Sequence, residues 1–482
     1  MKKLISGFLC TVFVLFALAS CSDTPPSTTA TLPPSSTLAE KTEPFIPNGI
    51  EGMDFKGAEI NFIMCGDNDS LRNIHLPEKD DETYIVNVCV ALRNKKIQEN
   101  LNIKIGKSIV VPPEEMTEHM RQFFASPNKE YDIVGGYECY DLGLTSGTNE
   151  GFIDYNTIHE DDMHIDLDAH YWDKNFYEAT SVDGKNYWVT GDISFERTRN
   201  TLVSFINKKL WTENSEKIEK AIGYTDLYQL VCDGKWTYET VAQLGGIALY
   251  EPGNEKNVFP SILMAGEGIR FSKNGNADFN TNAISAFSDN LSSLFADNGI
   301  FKNEIIDASA SVTPVEYFST GTSLITFGTV EMTQSLPTKS LTDYYIAPLP
   351  KSEQNAPYRT SAQGQTNVFG ILNTCESIGA ATATLEAMAG SAGKLLNLEY
   401  ILSCVPLCYC HDSDDMKDLA LYTLNNVEYV TDIAVSCEDM LEEGITDFIN
   451  NNIFKDDFKS SLNDKKTSFD TDFEKIKNAV LK

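Results

Sequence analysis

Two clusters carry the residue types of metal ligands. His159, Glu160, Asp161, Asp162, His164, Asp166, Asp168 and His170 fall within twelve residues. Imidazole with carboxylate suits a transition metal. Their spacing closes no ligand set, however, and a solvated polar loop is the expected reading. Cys404, Cys408, Cys410 and His411 form C-x3-C-x-C-H. Zinc sites favour C-x2-C pairs, and the apolar setting CVPLCYC points instead to small thiols filling a core. No metal and no cofactor is expected. GxSxG, HExxH, P-loop and GxGxxG patterns do not occur. No carboxylate pair stands out among 70 acidic residues, so local sequence gives a glycosidase no support.

The aromatic residues suggest a different chemistry. Tyr137 and Tyr140 follow a strand-like run, and Tyr171, Trp172, Tyr187 and Trp188 sit in a loop-rich stretch. Aromatic faces can stack on the apolar C–H faces of sugars, while carboxylates and amides bind the hydroxyls. Tyr137 is the strongest aromatic candidate, because ligands of open α/β sheets bind beyond the carboxyl ends of strands.

The elements that would position these residues begin with β/α alternation. Glu59–Cys65 reads as a strand. Tyr84–Asn100 reads as an amphipathic helix with Val88, Leu92 and Ile97 on one face. Ile103–Val111 is a second strand. Pro112-Pro113 starts a helix to about Ala125, and Tyr131–Val134 is a short buried strand. This order predicts a parallel sheet with helices on its faces. Asn186–Val189, Thr201–Asn207, Leu324–Val330, Tyr344–Leu349 and Asn367–Leu372 also read as strands. The middle of the chain, Thr382–Ser403 and the C-terminal remainder read as mostly helical.

Looking just past the strand ends gives a candidate site. Asp67, Asn68 and Asp69 follow the first strand, and Tyr137 and Glu138 the third. Thr190, Gly191 and Asp192 precede a crossover, and Gly328, Thr329 and Glu331 follow a later strand. Glycines let a ligand approach the backbone.

The N-terminus has basic Lys2 and Lys3, an apolar run Leu4–Leu18, and Leu18-Ala19-Ser20-Cys21. It reads as a signal peptide, and Cys21 resembles the lipidated cysteine of a bacterial lipobox. Ser22–Pro44, rich in Ser, Thr and Pro, reads as a tether. The expected location is therefore the outer face of a cell membrane, held by lipid. The chain carries 38 basic and 70 acidic residues, a net charge of −32. Nucleic acid, which is bound through Lys and Arg contacts to phosphate, is not expected as a partner on that charge. Eleven cysteines, one in the leader and one lipidated, leave an odd number without a disulfide framework.

Several stretches together resemble a known family. Arg93–Ile103 (RNKKIQENLNI) is similar to that family's first helix and second strand. Tyr131-Asp132-Ile133-Val134 is like its "YDLV" strand. Asp183–Tyr187 with Thr190-Gly191-Asp192 is like "GKLY…TGD". Phe205–Leu210 (FINKKL) is like "FFNKKL", Asp233–Thr237 (DGKWT) like "GKWT", and Ala347–Lys351 (APLPK) like "LPLPK". The order of these segments resembles the family 1 extracellular solute-binding proteins, the type that includes maltose-binding protein. Two positions depart from the pattern: Tyr250–Asn254 replaces an acidic turn, and Pro406–Cys410 replaces a "PAYYD"-like stretch.

The resemblance implies a two-lobed α/β fold of the periplasmic-binding-protein type II kind, with a hinge and an interlobe cleft. It places lobe one at 46–197 plus 326–374 and lobe two at 198–325 plus 375–482. It implies capture of a solute, a mono- or oligosaccharide, by a monomer that hands it to an ABC importer, with no catalysis. A surface polysaccharide-active enzyme and an adhesin are the alternatives.

Overall fold

The computed structural model describes residues 45–47, 49–66, 85–137, 151–181, 184–245, 260–273, 275–295, 318–319, 321, 323–334, 336, 343–362, 366–392, 414–436 and 444–481. The leader, Cys21, the tether, Tyr250–Asn254 and the Cys404–His411 cluster lie outside them. Among the described residues, no helix is long and apolar enough to cross a membrane.

The first sheet grows from the expected alternation: β1 (Ala58–Cys65), α1 (Ile85–Leu101), β2 (Ile103–Val111), α2 (Pro113–Ala125) and β3 (Ile133–Tyr137). β1 pairs parallel with both β2 and β3. Pro113 sits in the first turn of α2, where a missing N–H costs nothing, and Glu114 and Glu115 complement the helix dipole. β3 starts two residues later than the sequence suggests and runs on through Gly135 and Gly136.

The face of α1 differs from the expectation. Leu92 is 44% exposed, whereas Val90, Arg93, Ile97 and Leu101 are all 0% exposed. Arg93 turns inward because it finds partners there: its Nη1 donates to Ile193 O at 2.6 Å and its Nε to Asn94 Oδ1 at 3.1 Å. A guanidinium with satisfied donors can be buried where an unpaired one could not.

Short helices α3 (Lys174–Ala179) and α4 (Glu196–Arg199) precede β4 (Leu202–Asn207). Asn186–Val189 is not a strand; only Val189 bridges to Phe369. Four helices then follow in quick succession: α5 (Lys208–Glu213), α6 (Ser215–Ile222), α7 (Leu227–Cys232) and α8 (Tyr238–Gly245). After α9 (Pro260–Glu267) come the small hairpin β5 (Ser272–Lys273)–β6 (Asn276–Ala277) and α10 (Thr281–Phe295). β7 (Ile325–Thr329) and β8 (Tyr344–Ala347) flank β4 antiparallel on either side, forming a second sheet. β9 (Arg359–Thr360) lies beside it. β10 (Asn367–Ile371) returns to the first sheet, antiparallel to β3.

The C-terminal part comprises α11 (Ile378–Ala392), α12 (Asp414–Asn426), β11 (Glu428–Tyr429), α13 (Ile433–Ser436), α14 (Ile445–Asn452) and α15 (Phe458–Leu481).

These pairings divide the lobes differently from the resemblance. Segment 326–374 was expected in lobe one, but its β7 and β8 belong to the sheet of β4 and only β10 joins the first sheet. Likewise α11, expected in lobe two, contributes Ala381, Leu385 and Met388 to the core of the first sheet. The physical cause is partner choice: β7 and β8 satisfy their backbone hydrogen bonds against β4, whose six residues are all buried.

The family-like stretches hold the second sheet together. Trp236 is fully buried, and its Nε1 donates to Pro348 O at 2.8 Å. Ser204 Oγ on β4 donates to the same carbonyl at 2.7 Å. "DGKWT", β4 and "APLPK" therefore meet at one buried carbonyl. Lys351 of that last stretch is also buried, donating to Ala356 O at 2.5 Å and lying 3.9 Å from the Tyr358 ring centroid.

Candidate functional site

Two segments cross between the sheets at one place. The first runs from Thr190 through α4 to β4. The second runs from β9 to β10. Each is tied at both ends. Thr190 Oγ1 donates to Asn367 O at 2.7 Å, and Asp173 N donates to Thr190 O at 2.9 Å. Leu202 N donates to Ser361 O at 2.9 Å, and Thr360 Oγ1 to Leu202 O at 2.6 Å. β11 pairs with β9 and brings Tyr429 to the same place.

These segments enclose a narrow cavity of about 70 Å³ lined by Asp173, Phe176, Thr190, Arg197, Ser361, Ala362, Thr366, Tyr429, Val430 and Asp432, with apolar walls from α9, α13 and α14. It shares Asp173, Arg197, Tyr429 and Val430 with an open depression of about 540 Å³. Trp172, Lys174, Asn175, Arg270, Arg359, Val427 and Glu428 complete the wall of that depression.

Arg197 is central to both. Its Nη2 is paired with Asp192, its Nη1 lies 3.8 Å from Asp173, and its Cζ lies 4.7 Å from the Tyr429 ring centroid. Burial raises the pKa of Asp173, opposed chiefly by Arg197 and then by the Phe176 N–H. Burial likewise raises Tyr429, whose hydroxyl lies 2.6 Å from Thr201 Oγ1. Asp432, also raised by burial, accepts from Ser272 Oγ at 2.5 Å and Ala434 N at 3.0 Å. A half-polar concavity with an aromatic face, carboxylates and guanidinium groups can hold a polar solute by directed hydrogen bonds and stacking.

The structure distributes the sequence-chosen residues unevenly. Thr190 lines the narrow cavity. Asp192 stands behind it and fixes Arg197. Gly191 is where the chain passes closely over Tyr171 O and Trp172, so any Cβ would collide. Gly328 and Thr329 end β7, and the thioether of Met332 fills the space above Gly328. Glu331 is paired with Arg199, not placed on either wall. Tyr137 ends β3 opposite Asn367, but its side chain, with Asp67, Asn68, Asp69 and Glu138, is outside the described residues.

Of the aromatic candidates, Trp172 borders the depression, its Nε1 donating to Glu386 Oε2 at 2.7 Å. Tyr171 also donates to Glu386. Trp188 is core, packed 4.8 Å from Phe152, and Tyr187 packs against the same core. Tyr140 is outside the described residues. The sequence reading missed Asp173, Arg197, Arg270, Arg359, Tyr429 and Asp432. The acid–base alternation in DISFERTR, just before a buried strand, was the one available signal for Arg197. Among the described residues, no group of three or more His, Cys, Asp or Glu is placed to hold a metal ion.

No protein-family model matches the chain, and no curated protein matches it in sequence. Solved structures do match in shape. A sugar transporter from Rhizobium etli in an open conformation superposes with a TM-score of 0.54 at 12% identity, covering 87% of this chain and 99% of its own. UspC from M. tuberculosis gives 0.52 at 12%, covering 86% and 100%. This is the two-lobed α/β fold of solute-binding proteins. A cyclo/maltodextrin-binding protein complexed with maltotetraose gives 0.50 at 13%, covering 88% and 97%. At such identities the likeness is one of fold.

Proposed function

We propose that this protein is an extracytoplasmic solute-binding protein that captures a carbohydrate between its two sheets and passes it to an ABC importer. The observation that carries this reading is the cavity at the two crossing segments. It joins Thr190 of the first sheet's loop, Arg197 of the crossover and Tyr429 beside the second sheet in one wall. A solute there touches both lobes, and contacts to both are what can hold a hinge closed. The fold is shared with a sugar transporter and a maltodextrin-binding protein, which supports a sugar as the solute. The leader and Cys21 support delivery to a membrane surface through a lipid anchor.

Thermal-shift screening across mono- and oligosaccharides tests the proposal. A sugar at about 100 times its Kd stabilises the native state by about 2.7 kcal/mol, a readily measured shift. Failure of every sugar to shift the midpoint, or steady hydrolysis of one of them, rejects it.

A further inference from the structure

The ionisable groups on the open depression reverse the balance of the chain. Acidic residues outnumber basic ones 70 to 38 overall. On the depression, Lys174, Arg197, Arg270 and Arg359 face only Asp173 and Glu428. The sequence contains seven arginines, and three of them meet here.

Their partners differ. Arg197 is taken up by Asp192 and Asp173, and Lys174 by Asp168. Arg359 has one loose contact, Nε to Glu428 Oε2 at 3.4 Å, and makes no hydrogen bond among the described residues. Arg270 has neither a hydrogen bond nor an ion pair among the described residues; its charge reaches Asp432 only as the last of several influences. The two guanidinium-bearing chains are neighbours. Gly268, two residues before Arg270, has φ +71°, and a Cβ there would lie 2.8 Å from Arg359 Cδ and 3.2 Å from its Nε. Arg359 thus lies along the backbone that carries Arg270.

Among the described residues, Arg270 and Arg359 have one loose counter-charge between them, Glu428, and a planar guanidinium fork is matched to carboxylate or sulfate oxygens. A neutral sugar needs no such excess. Resting on the solute-binding reading above, we infer that the depression takes a carbohydrate bearing an anionic group, a carboxylate or a sulfate, held by Arg270 with Arg359 beside it.

Calorimetry on the full chain tests this with matched probes: trigalacturonate against maltotriose, and a sulfated lactose against lactose, with sodium sulfate alone as a control. The expected result is that the anionic member of at least one pair binds about tenfold or more tighter. That preference should shrink as salt rises from about 20 to about 200 mM. Arg270→Gln should abolish it while leaving the thermal midpoint unchanged. The pair that shows the preference tells carboxylate from sulfate. If maltotriose and lactose both bind as tightly as their anionic partners, or Arg270→Gln leaves the anionic affinity within about twofold, the inference falls and the sugar-binding reading stands. Sulfate alone binding as tightly as the sulfated sugar also overturns it. If no sugar of either kind binds, in this panel or in the wider screen, both readings fall.

Discussion

The Arg197 guanidinium lies 4.7 Å from the Tyr429 ring centroid while Asp192 and Asp173 hold its nitrogens. One cation from the crossover thus fastens a loop of the first sheet to a short strand beside the second. Arg197→Met leaves Asp173 and Asp192 mostly buried without a counter-charge. Breaking a buried pair on one side costs about 3 kcal/mol or more, so the urea midpoint is expected to drop accordingly. An unchanged midpoint would show the cluster to be solvated.

Binding separates the residues on the wall from those that are not. Tyr429→Ala should weaken solute binding by about 1–3 kcal/mol, roughly 5- to 150-fold, through loss of aromatic surface and of Arg197's support. Glu331→Ala should change it less than about threefold, because Glu331 pairs with Arg199 away from the cavity. Titration of the two variants with the identified sugar checks the order; the reverse order would favour the strand-end site.

Trp236→Phe removes the donor to Pro348 O and part of a fully buried ring. The expected loss is about 2–3 kcal/mol of stability with solute affinity unchanged. A clear loss of affinity would place Trp236 in the binding machinery.

Acidity acts through the buried carboxyls. Burial raises Asp432 above its ordinary value of 3.8, so between those two values the native state holds a proton that the unfolded chain has released. Its contribution to stability is therefore complete below 3.8 and is lost as pH rises through the folded value. Asp173 and Glu386, raised by burial in the same way, share this sign. With urea midpoints followed upward from about pH 4, the stability lost in Asp432→Asn should be largest at the acid end and shrink as pH rises. An equal loss across the whole range would show that burial does not raise Asp432.

Cys21→Ser should move the protein from the membrane fraction to the medium, since a single lipid-bearing thiol is the proposed anchor. Retention of the variant on the membrane would remove that part of the proposal.

Much of the first sheet was legible in the sequence. β2 has the bounds that its apolar pattern predicts, and the prolines mark the start of α2. The second sheet was legible strand by strand but not in its assembly. Periodicity reports which residues are buried and says nothing of which strand they are buried against; the resemblance grouped segment 326–374 with the first lobe, whereas β7 and β8 pair with β4. The site was less legible still. β11 is two residues long, too short to carry a period, yet it delivers Tyr429. Arg197 reads locally as a surface charge; its meaning depends on Tyr429, 232 positions later. Thr190 was found because it follows a recognisable stretch, whereas Arg270 and Arg359 follow none.

The antiparallel pairing of β10 with β3 also sets an order of assembly. β1, β2 and β3 can associate as soon as residue 137 has been made, but one flank of β3 stays open until Asn367–Ile371 arrives some 230 residues later. The N-terminal half cannot close its own sheet. Contacts of such long sequence separation form slowly, and an unpaired strand flank invites association with other chains in the meantime. A chain ended anywhere before residue 367 is therefore expected to aggregate instead of yielding an independent N-terminal lobe.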